Sequence, residues 1–287
     1  MKSRRKTFRE KLQRGATLWI PGAYDVMSAR LIEEAGFDGV LVSGFGVSAS
    51  LLGLPDAELY TMTENLGVTR QVASAVGIPV MADADTGYGN ALNVMRTVRE
   101  FEATGVASIT LEDQVSPKKC PAVSDQTDVV PLEEAVAKIR AAVAARRDPG
   151  LVIIARTDAR DPAEATRRAQ AFAAAGADVV KPISKCFTSL EALQELKRAC
   201  RRPLAISVIG WIERDLTPAQ IESLGGIATF PLTPLLTVAG ALRRNLARLA
   251  ATKSTASLPV PPMPEGDFKT FIGFEEIERL ERAYLVG

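Results

Sequence analysis

The sequence predicts an α/β chain closed as a (β/α)8 TIM barrel, and three observations carry that reading. A unit recurs in which a helical stretch ends in small residues, then a glycine, then a Val/Ile-rich run. Strand-like and helical stretches alternate strictly, which right-handed crossovers turn into either a closed barrel or a doubly wound sheet. Eight such pairs within roughly 235 residues favour the barrel, whose usual size is about 250.

The recurring unit reads EEAGFDGVLVSG at 33–44, SAVGIPVMADAD at 74–85, EATGVASITLED at 102–113, AAAGADVVKPIS at 173–184 and ESLGGIATFPLT at 222–233. Gly36, Gly77, Gly105, Gly176 and Gly225 suit the left-handed position that closes a helix. The runs after them lack clean alternation, as parallel strands buried on both faces should. Further strands fall at 17–20, 151–156 and 203–207, with amphipathic helices at 91–103, 132–145, 162–175 and 232–249. The barrel with its N-terminal helix is expected over 1–256. A Pro-punctuated arm, SLPVPPMPEGD at 257–267, then leads to a helix at 274–284. Such a helix packs on a second subunit or folds back on its own barrel, and the residues alone leave both open.

Composition removes whole mechanisms. Among 287 residues there is no histidine, so a Ser-His-Asp triad, a Cys-His dyad and a His-rich zinc site are excluded. Acid–base work falls to Asp, Glu, Cys, Tyr, Lys or water. With 35 Lys+Arg against 34 Asp+Glu the chain has no electrostatic footprint for nucleic acid or an anionic membrane, and only its first fourteen residues are rich in Lys/Arg. No apolar run approaches the ~18 residues of a membrane span. The start, MKSRRKTFREKLQRG, lacks the apolar core of a secretory signal. Cys120, Cys186 and Cys200 are odd in number and form no CxxC, which fits a reduced, cytoplasmic chain.

In a barrel the chemistry gathers at the C-terminal ends of the strands. There the sequence places Ser43-Gly44-Phe45, then Asp83-Ala84-Asp85, then Glu112-Asp113, then Arg156-Thr157-Asp158. Four acids on two adjacent strand ends repel one another unless a cation sits among them. All-oxygen ligands select a hard ion, Mg²⁺ or Mn²⁺. The bland alternative is that these carboxylates cap helices or pair with Arg156, and for Asp158, in RTDARDP, an ordinary cap is expected. Arg156 is a natural carboxylate clamp, or an internal partner of Asp83 or Glu112. The long segment 114–131 reads as a lid, and its Lys118-Lys119-Cys120 places a thiol between two ammonium groups, which should lower its pKa. Cys186 and Cys200 read as packing residues.

These residues together resemble the isocitrate lyase / phosphoenolpyruvate mutase superfamily. The resemblance runs from PGAYDVMSARL at 21–31 to the last helix, most specifically through SGFGVSASLLGLPD at 43–56, DADTGYGN at 83–90, LEDQ at 111–114 and ARTDA at 155–159. It implies a barrel whose last helix is exchanged in a homodimer, usually paired into a homotetramer. It implies Asp85 as direct Mg²⁺ ligand, with Asp83 and Glu112 acting through water and Asp56 steadying that water. Ser43, Gly44 and Phe45 would bind substrate oxygens, with Tyr24 at the mouth. Cys120 matches the acid/base cysteine of the lyase branch, with Lys118 in the same motif. The implied activity is Mg²⁺-dependent C–C cleavage of a small 2-hydroxy- or 2-oxo-dicarboxylate through an enolate. Alternatives are P–C bond chemistry, or a barrel that keeps its metal and serves only in binding.

The chain also departs from the lyase pattern. Cys120 is followed by Pro121-Ala122 rather than Gly-His; Ile183 stands where a Glu is usual, and Ser207 where an Asn is usual. Losing these polar partners disfavours a tricarboxylate. With Ile209 and Trp211 nearby, a smaller or more apolar substrate is expected, such as an alkyl-substituted malate or oxaloacetate.

Overall fold

The computed structural model describes residues 4–120 and 127–285. Eight parallel strands follow one another around a closed barrel. They are β1 (Thr17–Ala23), β2 (Val40–Val42), β3 (Val80–Asp83), β4 (Ser108–Glu112), β5 (Val152–Thr157), β6 (Val179–Pro182), β7 (Leu204–Ser207) and β8 (Gly226–Phe230). Five register pairs between β1 and β8, from Thr17↔Gly226 to Pro21↔Phe230, shut the ring.

Helices α1 (Arg4–Gln13), α2 (Val26–Glu34), α3 (Gly44–Val47), α4 (Met62–Ala75), α5 (Ala91–Ala103), α6 (Leu132–Ala145), α7 (Pro162–Ala174) and α8 (Leu190–Cys200) lie before or between the strands. The short α9 (Trp211–Asp215) and α10 (Pro218–Leu224) separate β7 from β8. Five of the crossover helices start where the sequence supplies a cap: Asp25 for α2, Thr61 for α4, Asn90 for α5, Asp161 for α7 and Ser189 for α8 each accept a backbone N–H, whereas α6 follows Pro131 without one. Gly36, Gly105, Gly176 and Gly225 hold positive φ as expected. At Gly77 the expectation fails: α4 ends with Val76 extended, and the Gly77 N–H donates instead to Glu33 at 2.7 Å.

Side chains alternate in and out along each strand, so residues two apart share the barrel interior. Leu18, Ile20, Leu41, Met81, Val152, Ile154, Val179, Ala205 and Ile227 make one buried interior cluster. Each such aliphatic side chain stabilises the fold by about 1.5–3 kcal/mol when fully buried. Two residues further along the same strands stand Ser43, Asp83, Arg156, Lys181, Ser207 and Thr229. The apolar layer is therefore the floor of a polar one, and this places the site.

The basic N-terminal stretch has a structural use. Phe8 and Leu12 of α1 enter the same interior cluster and close the barrel at its base. Arg5 donates to the carbonyl of Val106 at 2.7 Å and Arg9 to that of Leu151 at 2.9 Å, while the two pair with Asp148 and Asp178.

The chain divides into compact units Met1–Leu235 and Leu236–Gly287. Helix α11 (Thr233–Thr252), which the sequence assigns to the barrel over 232–249, therefore belongs mostly to the second. That unit also holds α12 (Glu265–Ile272) and α13 (Phe274–Tyr284), and none of the three helices has a buried residue. Asn245 ties the Pro-rich arm to α11 through both its amide groups, to Val260 O at 2.8 Å and from Val260 N at 2.9 Å. No described helix is long and apolar enough to cross a membrane.

The close contact of β1 with the turn after β8 gives a test of the barrel seam. A Cβ added at Gly22 would lie 2.3 Å from the backbone oxygen of Pro231, which no side-chain rotation relieves. Gly22→Ala is expected to lower stability by about 1–3 kcal/mol, read as a fall in denaturant midpoint at constant m-value.

Candidate active site

The polar layer opens into a cavity of about 130 Å³ at the C-terminal ends of the strands. Of the residues singled out from sequence, Ser43, Phe45, Asp56, Asp83, Cys120, Arg156, Ile183 and Ser207 line it. Asp85, Glu112 and Lys118 are buried beside them: Lys118 pairs with Asp56 and Asp85, and Arg156 with Glu112. Tyr24 is buried and does not line the cavity; its Cβ would lie 2.9 Å from a Cβ at Gly46. The adjacent Asp25 caps α2, bonding Ser28 N at 2.7 Å.

Lys118 is the centre of the acid cluster. Its ammonium lies 2.5 Å from Asp85 and 3.0 Å from Asp56. Tyr60 donates its hydroxyl hydrogen to the other Asp85 oxygen at 2.5 Å, and Tyr88 does so at 3.1 Å. Asp85 and Tyr88 hold φ of 48° and 59°, the left-handed region that non-glycine residues rarely adopt, and Gly87 and Gly89 flank Tyr88 at positive φ. The strained turn brings the Tyr88 hydroxyl under both Asp85 and Asn65, whose amide also bonds Asp83 O at 2.7 Å. A Cβ on Gly44 would meet Tyr60 Oη at 2.5 Å, Asp83 Oδ2 at 3.1 Å and Asp85 Oδ1 at 3.2 Å, so only glycine fits there. The Gly44 N–H, expected to serve a substrate anion, points at Asp83 Oδ2 at 3.3 Å.

Arg156 is held between Glu112 at 2.8 Å and Asp158 at 2.7 Å. The internal pairing with Glu112 weighed from sequence is therefore present. Asp158 is not the helix cap, a role taken by Asp161. It is fully buried against Arg156, because the chain makes one more turn before α7 begins. Asp113 also leaves the expected cluster. Strand alternation turns it outward, where it pairs with Arg168 at 3.0 Å and accepts the Asp158 N–H at 2.9 Å.

The charges follow from burial. Burial pushes the Asp85 carboxyl up to about 6, against the pull of Lys118, and Glu112 up to about 8, against that of Arg156. Burial also opposes charge on Asp83, but Lys118 and Arg156 outweigh it and hold that carboxyl below its ordinary range. Asp56, Asp83, Asp85, Glu112 and Asp158 thus face Lys118, Arg156 and Lys181, an excess of carboxylates over cations. Asp83 Oδ1 is buried without a hydrogen-bond partner. The all-oxygen donor set and the orphaned oxygen fit a hard divalent cation. Among the described residues the acids are not gathered into a metal-holding cluster, since Lys118 stands against Asp85 in that role.

Cys120 is buried at the cavity wall. The two flanking ammonium groups pair with carboxylates, Lys118 with Asp56 and Asp85 and Lys119 with Asp128 at 2.5 Å. Pro121 and Ala122, and with them the lid motif's second half, lie outside the described residues. Cys186 and Cys200 are buried, and burial raises both thiols, Cys186 to about 12.

Three contributors escaped the sequence reading. Tyr60 gave no signal, since it lies far from the strand ends in sequence. Tyr88 and Lys181 sat inside quoted motifs; Lys181 could have been found from its parity with inward Val179.

The family comparison agrees with the fold. A family model described as phosphoenolpyruvate phosphomutase matches residues 8–249. The chain belongs to that family. It is similar to a 2,3-dimethylmalate lyase of Eubacterium barkeri, 40% identical over 287 residues covering 97% of each chain. Among solved structures it is similar to a phosphoenolpyruvate phosphomutase from Streptomyces platensis subsp. rosaceus, with a TM-score of 0.91 and 34% identity over 98% of this chain and 99% of that one. It is also similar to a phosphonopyruvate hydrolase in complex with oxalate and Mg++, with a TM-score of 0.88 and 31% identity over 99% and 100%. The family so represented holds a lyase named for a small dicarboxylate beside one enzyme named for phosphoenolpyruvate and one named for a phosphonate.

The Tyr60–Asp85 contact is testable alone. Tyr60→Phe keeps the ring and removes one donor to a buried carboxylate. Loss of a hydrogen bond to a charged group should cost about 1.5–3 kcal/mol, measured by urea unfolding in chelator.

Proposed function

We propose that the chain is a metal-dependent C–C lyase of a small 2-hydroxy- or 2-oxo-dicarboxylate, with an alkyl-substituted malate as the favoured substrate class. The observation that carries this is Cys120 buried in the wall of the same cavity as Asp83 and Arg156. A thiol there gives carbon chemistry a proton carrier. Ile183 and Ile209 supply apolar wall where an alkyl substituent would rest.

Asp85, Asp83 and Glu112 would hold Mg²⁺, or Mn²⁺. When bound, the ion supplies Lewis-acid stabilisation of the negative charge that develops on the substrate's oxygens. The chain's own groups do the rest. The Ser43 hydroxyl and the Arg156 guanidinium bind a carboxylate from two sides. Asp158 and Glu112 fix the Arg156 fork, so its orientation is set before substrate arrives. Tyr60 and Tyr88 orient Asp85. Cys120 carries a proton at Sγ to or from the carbon left by cleavage. Lys118 comes from the lid segment, so movement of that segment changes the charge beside Asp85.

Cys120→Ala should lower kcat at least 100-fold with racemic 2,3-dimethylmalate while leaving Mg²⁺ affinity within about twofold. Excess EDTA should abolish turnover, and Mg²⁺ should restore it. An unchanged rate in the Cys120 variant would remove the proton-carrying role. Phosphate release from phosphonopyruvate at comparable kcat/KM would move the assignment to P–C chemistry, and no turnover of either would leave a binding barrel.

The reading extends to assembly. The second unit exposes Leu242, Leu246, Phe268, Phe274 and Ile277, a surface that suits a second copy of the chain and an exchanged last helix. Light scattering should then give a dimer or tetramer, and Ile277→Glu should shift it toward monomer.

A further inference from the structure

Lys118, Arg156 and Lys181 are not held alike. Lys118 is spent on Asp56 and Asp85, and Arg156 on Glu112 and Asp158. Lys181 lines the same cavity, yet among the described residues no carboxylate lies within ion-pair distance of its ammonium. It is the register partner of Arg156 across β5 and β6, and shares the interior parity of Val179 beneath it. Its side chain thus enters the polar layer between Arg156 and Ser207.

Keeping an unpaired ammonium in a half-closed polar layer is costly unless an anion completes it. Burial, with the Arg156 guanidinium next to it, lowers Lys181 to about 8, against the longer-range pull of Asp83, Asp158 and Glu112. Away from Asp83, the wall on the β6–β7 side carries no carboxylate: it is Pro182, Ile183, Ser184, Lys185, Ser207 and Ile209.

We propose that Lys181 binds the substrate's second carboxylate, the one remote from the metal-facing end, and so selects dicarboxylates over monocarboxylates. This rests on the proposed lyase function and sharpens it. The chain lacks the polar residues expected at positions 183 and 207, and the cation two residues before Ile183 takes over recognition of that end. One ammonium, with apolar Ile183 beside it, accepts a single carboxylate next to an alkyl group.

The test is binding rather than turnover. Isothermal titration of the Mg²⁺-supplemented full-length protein compares oxalate, which occupies only the metal-facing end, with 3,3-difluorooxaloacetate, which carries the remote carboxylate and resists cleavage. Lys181→Met should weaken the difluoro diacid at least tenfold and leave oxalate within twofold; Lys181→Arg should recover most of the loss. Lys181→Gln repeats the test with a polar isostere should the Met variant fold poorly. An equal loss for both ligands, or none for the diacid, overturns the assignment. Failure of the unaltered protein to bind oxalate with Mg²⁺ would instead overturn the lyase reading beneath it.

Discussion

The structure at the barrel mouth depends on a surplus of buried carboxylate charge. Asp85, Glu112 and Asp158 are nearly or wholly removed from water and Asp83 is half-buried beside them, and like charges so gathered cannot all stay ionised unaided. The chain answers with Lys118 and Arg156, each bridging two acids, and with tyrosine hydroxyls on Asp85. A buried bridge of this kind contributes little net stability, because desolvation offsets much of the Coulomb gain. Its worth is positional. Removing either cation would expose the next carboxylate to its neighbour, so the acids, Arg156 and the lid segment move as one electrostatic unit.

That unit can exist because the barrel separates the two tasks of folding and chemistry by a single step along each strand. Leu41, Met81, Ile154, Val179, Ala205 and Ile227 fill the interior. Two residues later the same strands present Ser43, Asp83, Arg156, Lys181, Ser207 and Thr229. The apolar layer has no polar atoms to satisfy and packs without regard to the chemistry above it. The polar layer can then carry unmatched charge whose cost is borne by the floor.

The fold was legible because its signals are local and repeated. The helices at 91–103, 132–145 and 274–284 fall where hydrophobic spacing put them. Strand ends followed from the strand–helix alternation, and with them came the gathering of Ser43, Asp83 and Arg156 around one cavity; Cys120 came from its loop motif and Asp56 only with the family resemblance. Pairings were less legible. Asp113 follows Glu112 in sequence but faces the opposite side of the sheet; Lys119 follows Lys118 but reaches solvent and Asp128. Adjacency implied shared chemistry for both pairs, and side-chain direction denied it. Tyr60 is the harder case. It touches Asp85 across 25 residues of chain, and no spacing rule connects a loop tyrosine to a strand-end carboxylate.

The missing histidine acquires a physical sense in this setting. An imidazole near four buried acids would be drawn to its charged form and would add one more partner to an already coupled set. Here the groups assigned to hold or move protons are a thiol at the wall and hydroxyls beneath Asp85, none of which carries positive charge in any state. The cationic charge is confined to lysine and arginine, whose ammonium and guanidinium groups stay protonated in contact with carboxylates, as the raised Lys118 and Arg156 show despite burial. Proton carriers and charge carriers are thereby different residues. A site built so can change its proton inventory during a reaction without dissolving the ion pairs that hold its shape.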